Sequence, residues 1–311
     1  MKISVVVPVF NECEGVSQLH EEITQSLRSF LVEGEFEIIY VDDGSTDNTS
    51  NALSTLTPAT VITLRRNQGQ TAAMKAGIDH AKGDFITLLD GDGQNDPSNI
   101  KTLFNYLLDN NLDLVCGWRE NRKDSKMKKF VSKGAYLIRQ ILISDKIHDS
   151  GCTQKIGRRD ILQSMPLYGE FHRLIPALVA LDGYLVGEVP VVHRERKFGT
   201  SKYTWHRIIK GIIDIGMLWF WKKFESRPMH FFGGLGLLAI FAGLGAAMTA
   251  TILYIFDSVF FRNSLPVLAA VLIMAGIQLI SVGMLGDRIF RIHYDQNNRT
   301  RYLIKSIKNK P

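Results

Sequence analysis

Two runs near the carboxyl end constrain this chain most. Phe231–Phe256 holds no charged residue, and Leu265–Gly286 is a second run of the same kind. Each is long enough to cross about 30 Å of hydrocarbon, which takes roughly 20 apolar residues. Asp257–Ser264 between them is too short to be a domain, so the pair is expected to form an antiparallel transmembrane hairpin. Lys222, Lys223 and Arg227 precede the first run, and Arg288, Arg291, Arg299, Arg301, Lys305, Lys308 and Lys310 follow the second, whereas the joining loop has only Arg262 as a base. Basic flanks stay on the cytoplasmic side. The expectation is therefore a multi-pass protein of the inner (plasma) membrane with both termini and the main domain in the cytoplasm. Each basic residue beside an anionic leaflet adds about 1 kcal/mol of attraction, which draws the tail to the surface. Gly243, Ala247 and Gly276 are small residues of the kind that support helix association, and with it a homo-oligomer.

Before the hairpin, Trp205, Ile208, Ile209, Ile212, Ile213, Gly216, Trp219 and Phe220 follow helical spacing, with Arg207, Lys210 and Asp214 on another face. A helix packed on a domain core has the same pattern, but the neighbouring spans favour one lying in the membrane interface, where Trp is enriched. The expected division is a cytoplasmic domain over 1–203, an interfacial region over 204–228, two spans within 229–290 (about 231–256 and 265–286) and a basic tail over 291–311.

The first half alternates short β-branched runs with helical patterns. Ile3–Val9, Phe36–Val41, Val61–Leu64, Phe85–Leu89 and Asp113–Cys116 read as strands. Between them lie helical patterns through Val16, Leu19, Ile23, Leu27 and Leu31, over Thr71–Ala81, and from Asp96-Pro97 to about Asn110. Such alternation predicts right-handed crossovers and an α/β domain on a parallel, doubly wound sheet. Ser45 or Thr46 is expected to cap the helix after the second strand. Gly151–Gly157 reads as an edge strand, Phe171-His172-Arg173 as the start of a helix, and Leu185–Val191 as a further strand.

In an open parallel sheet, ligands bind at the carboxyl ends of the strands. Acidic residues gather at three of those ends: Glu12, Asp43, and the pair Asp90 and Asp92. Alternate positions of an extended segment point the same way, so Asp90, Asp92 and Gln94 are expected to share a face. Their hard oxygens suit Mg²⁺ or Mn²⁺, which keep waters and bridge substrate phosphates. A calcium loop is excluded, because Lys101 stands where a bidentate Glu belongs and Asn95 where the turn Gly belongs. No Gly-x-Gly-x-x-Gly follows the first strand and no phosphate-loop signature is present. Carboxylates for a ribose or base edge and a metal for a diphosphate together point to a nucleotide-sugar site.

Net charge is +6 with a pI near 9.1. The bases cluster near the apolar runs and the strand ends, so the charge argues for a membrane surface and anionic substrates and against nucleic acid. Arg119 to Lys133 is strongly basic and is read as a segment receiving an anionic second substrate. The run from Arg194 to Tyr203, with Gly199-Thr200-Ser201-Lys202 set among arginines, suits a loop around a diphosphate. His172 and His193 are expected to be ordinary, partly buried histidines. Cys13, Cys116 and Cys152 form neither a metal pattern nor a disulfide framework, as expected of a reduced cytosolic domain. Ile3–Val9 is too short for a signal peptide and is expected to begin the sheet.

Val6-Val7-Pro8-Val9-Phe10-Asn11-Glu12, Val41-Asp42-Asp43-Gly44-Ser45-Thr46-Asp47, Arg66-Asn67-Gln68-Gly69 and Asp90-Gly91-Asp92-Gly93-Gln94 together resemble the family 2 glycosyltransferases of GT-A fold. Phe198-Gly199-Thr200-Ser201-Lys202-Tyr203 and the two spans narrow the resemblance to the polyprenyl-phosphate branch, which includes dolichol-phosphate mannose synthases and undecaprenyl-phosphate glycosyltransferases. It implies inverting transfer of one sugar from a nucleotide-sugar donor (UDP-glucose or GDP-mannose type) to a polyprenyl phosphate. The chain lacks the Gln-x-x-Arg-Trp run of processive synthases, which agrees with a single transfer. By position, the resemblance implies that Pro8, Phe10, Glu12, Val41 and Asp43 line the nucleoside pocket. Asp90 and Asp92 would stand at the diphosphate, with Asp92 and Gln94 on the metal. Arg173, Arg196 and Lys202 would hold donor phosphates or sugar, and Arg119, Lys128 and Ser132 the lipid phosphate. Asp90, Asp92 and Arg119 would be the catalytic set. Gly93 departs from the bulkier apolar residue often found there, and Lys128 gives a point charge where an Arg can occur. Two other classes stay open at this point: a non-catalytic membrane partner that binds nucleotide sugar or lipid, and a membrane-tethered transferase with a soluble acceptor. An intact Asp90/Asp92/Gln94 set argues against the first, and the interfacial helix and the basic 119–133 stretch against the second.

Overall fold

The computed structural model describes residues 1–119, 147–194, 216–217, 219–220, 223–224, 227–257 and 264–296. The chain divides into two compact units, Met1–Gly216 and Met217–Pro311.

In the first unit the described strands are β1 (Ile3–Val9), β2 (Phe36–Asp42), β3 (Thr60–Thr63), β4 (Phe85–Leu88), β5 (Leu114–Trp118), β6 (Lys155–Arg158) and β7 (Val186–Pro190). They form one seven-stranded sheet in the order β3-β2-β1-β4-β6-β5-β7. The helices are α1 (Val16–Arg28), α2 (Thr49–Ser54), α3 (Gln70–His80), α4 (Asn99–Asp109), α5 (Arg159–Ser164) and α6 (Ile175–Leu181), with a 3₁₀ turn at Phe171–Arg173. The mostly parallel α/β architecture expected from the alternating pattern is present. All seven residues of β1 are buried, as a central strand covered on both faces requires. Val5, Val7, Val9, Ile38 and Tyr40 pack on the apolar stripes of α1 (Leu19, Ile23, Leu27) and α4 (Ile100, Leu103, Leu107).

One expectation is overturned. The segment read as an edge strand over Gly151–Gly157 forms β6, which lies inside the sheet, antiparallel to both β4 and β5. Its sequence, Lys-Ile-Gly-Arg, has the polarity of an edge, yet Lys155 is only 1% exposed. The lysine head finds the carbonyl of Cys152. Smaller corrections concern caps. Asn48, not Ser45 or Thr46, precedes α2. The Ser45 hydroxyl instead takes the Asn11 amide at 3.0 Å, and Thr46 donates its amide to Asn11 Oδ1 at 2.8 Å. Asp47 serves the helix start by accepting the Thr49 amide at 3.0 Å.

Strand order reverses about β1: the chain crosses to β2 and β3 on one side, then returns through α3 to β4 on the other. A crevice outside the carboxyl ends opens at such a reversal. Pro8 widens it. Register between β1 and β4 ends at Val6↔Leu88, with Leu89 donating to the Val6 carbonyl. Pro8 therefore faces the β4 side just past that ladder, where its missing N–H leaves no bond unmade.

In the second unit α7 (Pro228–Asp257) and α8 (Leu265–Gln296) run antiparallel. Pro228–Phe256 and Leu265–Ile289 have mean hydropathies of 2.0 and 2.3 and are long enough to cross a membrane. Their outward residues, among them Leu238, Phe241, Met248, Val267, Met274 and Leu285, are exposed and apolar, which fits lipid as their surroundings. Where the helices meet, a Cβ added to Gly276 would lie 2.6 Å from the Gly236 carbonyl oxygen, and one on Gly243 3.0 Å from that of Ala269. Gly243 and Gly276 thus serve close backbone contact between the two helices of one chain. At the start of α7, Phe231 stacks edge-on with Phe220 at 5.5 Å, and Phe224 lies 4.8 Å from Phe231.

Candidate active site

The Asp90–Gln94 segment is a turn, not the extended run that the alternation argument assumed. Asp92 Oδ1 accepts the Gln94 amide at 3.1 Å. Gly93 has φ +70°, and a Cβ added there would meet nothing within 4 Å. Backbone geometry therefore selects Gly there, whereas a bulkier residue would be strained. Gly91 is small for a different reason: a Cβ would meet the Pro8 carbonyl at 2.8 Å and Val9 Cγ1 at 2.6 Å. The turn is pressed against the end of β1, in the crevice beside Pro8.

Asp90, part-buried like Asp92, is held by side-chain amides. Gln70 Nε2 donates to its Oδ1 at 2.6 Å and Asn95 Nδ2 approaches Oδ2 at 3.4 Å. Burial, and after it the charge of Asp92, pushes its carboxyl up to about 6, against the pull of Thr153, Lys155 and Arg119. Asp92 and Glu12 line one cleft, with Gly93, Gln18, Glu22 and Arg194. A larger cavity of about 400 Å³ opens at the other end of the sheet, beside Phe85 and Asp113. It holds none of the candidate residues.

Asp43 is buried, and its two oxygens accept the amides of Gln68 (2.7 Å) and Gly69 (2.9 Å). Its carboxylate thus shapes the Arg66–Gly69 loop, whose next residue, Gln70, holds Asp90. Pro8 and Val41 are register partners on β1 and β2 and both are buried. They form a floor, while Phe10 and Glu12 are part exposed. The 3₁₀ turn carrying Arg173 docks on the start of α3, where Thr71 Oγ1 lies 2.7 Å from His172 Nδ1. His172 is buried, more fully than the partly buried histidine expected. Arg173 is 3.8 Å from Glu170.

Arg119 follows β5 and is held by a two-pronged pair with Asp149: Nε to Oδ2 at 2.7 Å and Nη2 to Oδ1 at 2.9 Å. Burial disfavours the charged guanidinium, but the Asp149 bonds outweigh it and raise its pKa. Lys128, Ser132, Arg196 and Lys202 lie outside the described residues, as do most of the basic 119–133 stretch, most of the interfacial helix, the 258–263 loop and the tail from 297.

Several residues that organise this site were missed by sequence reading. Arg194, taken as part of a phosphate loop, is committed elsewhere. Its guanidinium pairs with Glu22 on α1 and with Asp96 at 2.8 Å, and its amide donates to the Gln94 carbonyl at 2.8 Å. Burial works against ionisation of Asp96, but the Ser98 amide and Arg194 hold its carboxyl below the usual range. Gln154 is fully buried and joins the Asp96 carbonyl to Asn99. Asp149 to Lys155 is thus one strap touching Arg119, Asp90 and the Asp96 turn. It reaches them because β6 is antiparallel, so the chain enters it at the carboxyl edge of its neighbours. A short acid ahead of a basic strand was the only sequence signal for it.

The donor set at Asp92 and Gln94 fits a hard divalent cation: a carboxylate and an amide oxygen on a half-buried turn, with room for waters and substrate oxygens. Among the described residues no group of three or more His, Cys, Asp or Glu could hold a metal. Any cation here would draw most of its ligands from water and substrate.

Comparison with known proteins bears on this arrangement. The model of the family described as glycosyl transferase family 2 matches residues 4–165. A dodecaprenyl-phosphate galacturonate synthase of Rhizobium johnstonii is 40% identical, covering 99% of this chain and 93% of its own. Among solved structures, glucosyl-3-phosphoglycerate synthase of Mycobacterium tuberculosis with Mn²⁺, uridine diphosphate and glucosyl-3-phosphoglycerate has a TM-score of 0.54 at 18% identity, covering 71% of this chain and 79% of that one. The same enzyme with Mg²⁺ and uridine diphosphate gives 0.55 at 19% identity, over 69% and 79%. At these identities the structures speak for the fold.

Proposed function

The chain belongs to glycosyltransferase family 2, and on that premise we propose that it moves a single sugar from a nucleotide sugar to a polyprenyl phosphate at the cytoplasmic face of a membrane, with inversion. The observation that carries the reading is the Asp90–Gln94 turn in the crevice between β1 and β4, with the paired Arg119 at the end of β5 within its electrostatic reach. The polyprenyl-phosphate relative supports the acceptor class, and the two apolar helices supply a reason for the site to meet lipid.

In this reading Phe10, Glu12 and Asp43, over the floor of Pro8 and Val41, receive the nucleoside. Asp90 faces the diphosphate, and Arg173, Arg196 and Lys202 hold donor phosphates or sugar. Asp92 and Gln94 would hold Mg²⁺ or Mn²⁺, which would supply positive charge to offset that of the diphosphate. Arg119, Lys128 and Ser132 receive the acceptor phosphate. No general base is needed for this acceptor. A phosphate monoester has a second pKa of about 6 by analogy with phosphoryl groups on proteins, so at neutral pH its oxyanion is ready to attack. Arg119 screens that oxyanion from the donor diphosphate and aligns it, and alignment alone supplies much of the barrier reduction. Bonds to the departing nucleotide oxygens supply more. Attack in line with the leaving group turns an α-linked donor into a β-linked product.

The test is purified protein in vesicles containing undecaprenyl phosphate, with a panel of labelled donors: UDP-galacturonate first, given the relative, then UDP-glucose, UDP-amino sugars and GDP-mannose. Transfer to lipid should require Mg²⁺ or Mn²⁺, and Asp92→Ala should abolish it while membrane insertion stays intact. Near-normal transfer by Asp92→Ala, or a product that keeps the donor's anomeric configuration, refutes the mechanism. Hydrolysis of every donor with none transferred to lipid refutes the acceptor.

A further inference from the structure

We infer that Glu188 is the residue that aims Arg119: acting through the His148–Asp149 turn, this strand-borne carboxylate fixes the guanidinium that receives the acceptor phosphate. The inference rests on the acceptor role proposed above for Arg119.

Arg119 lies one residue beyond β5, where the sheet no longer dictates side-chain direction. Asp149 grips one edge of its guanidinium through Nε and Nη2, and also accepts the Arg119 amide at 3.3 Å. The fork geometry leaves Nη1 outside that grip, and it is the edge available to a phosphate. Asp149 itself belongs to a turn, and a turn carboxylate directs an arginine only as well as the turn is held. Glu188 holds it. One oxygen accepts the Asp149 amide at 2.8 Å, and the other accepts the His148 amide at 3.0 Å and lies 2.8 Å from His148 Nδ1. With Nδ1 protonated, the ring is a third donor. Trp118 closes the cluster by stacking on the His148 ring at 4.8 Å and 20°.

Glu188 belongs to the sheet, whereas Asp149 belongs to a turn. It sits within β7, in register with Cys116 of β5, and its side chain is 9% exposed. A carboxylate so far from water costs free energy unless donors replace its hydration, and three donors from one turn do so. The same β5 that leads into Arg119 thus pairs with the strand that orients it. The order of command runs strand, turn, ion pair, guanidinium, and catalytic sites depend on such support because small misalignments are costly.

A role confined to stability would weaken donor and acceptor steps alike, so the test must separate them. In full-length protein, Glu188→Ala should raise the KM for undecaprenyl phosphate in vesicles about tenfold, the scale of losing a well-aimed charged hydrogen bond. Nucleotide affinity with Mn²⁺, read by calorimetry, should stay unchanged. Asp149→Asn should behave likewise. In an Arg119→Ala background, Glu188→Ala should change the acceptor KM by less than about twofold, since a residue acting only through Arg119 has nothing left to act on. Should Glu188→Ala misfold, Glu188→Gln keeps the volume and serves in the same cycle. Additive effects of Glu188 and Arg119 substitutions, or parallel loss of nucleotide affinity, overturn the inference alone. Normal acceptor kinetics in Arg119→Ala itself would remove both the inference and the acceptor role beneath it.

Discussion

Asp90 is held by opposing forces. Burial and Asp92 favour its proton, while Thr153, Lys155 and Arg119 favour its charge, and the balance lies at about 6 against an ordinary 3.8. A carboxyl whose folded pKa is raised contributes stability that is complete below 3.8 and is lost as pH rises through about 6. Without metal, the wild type should therefore lose thermal stability relative to Asp90→Asn between about pH 4 and 7. Parallel melting curves for the two proteins across that range would contradict the assignment. The candidate residues Asp90, Asp92 and Gln94 can be picked out in the sequence because they lie together at one strand end. Their supports cannot, because each comes from far along the chain. Gln70 is 20 positions from Asp90, and Arg194 is 172 positions from Glu22. Arg194 begins the run read as a diphosphate loop, and a sequence shows its charge without showing that Glu22 and Asp96 neutralise it.

At the scale of elements, hydrophobic period identified the strands β1 to β5 and the helices α1, α3 and α4, generally to within a few residues, but not the short α2. It failed where burial and polarity part company. β6 is short and basic, and only its two neighbours reveal it as an interior strand. The Asp90–Gln94 run failed for the opposite reason: alternation was assumed to continue past Leu88, but Gly93 turns the chain. In the second unit the runs gave the helices, while the contact between them rests on particular glycines. Gly276→Leu places a side chain against the Gly236 carbonyl and should destabilise the hairpin by about 1–3 kcal/mol, as overpacking does. Gly245, which has nothing within 4 Å of its Cβ position and is exposed, is the control. Gly245→Leu should leave thermal unfolding in detergent nearly unchanged. Equal effects at the two positions would mean that the helices do not meet as described.

At the scale of the whole molecule, the chain divides into an α/β unit and a unit with two helices long and apolar enough to cross a membrane. We propose that both termini are cytoplasmic. Cysteines introduced at Ser258 and Asn263 should then be labelled by an impermeant reagent from outside, and one at Asn309 should not; the reverse pattern would put the site on the wrong side for cytosolic nucleotide sugars. The interior position of β6 also sets an order of assembly. The strands β3, β2, β1 and β4 are contiguous in the sheet and all lie before Leu89 in the chain, so a nascent chain can complete that half while the ribosome is still working. β5 bonds only to β6 and β7, and it waits for residues 155–190 to emerge. A pause in translation between those points would leave a finished four-strand half followed by an unpaired strand, and unpaired strands are prone to aggregate.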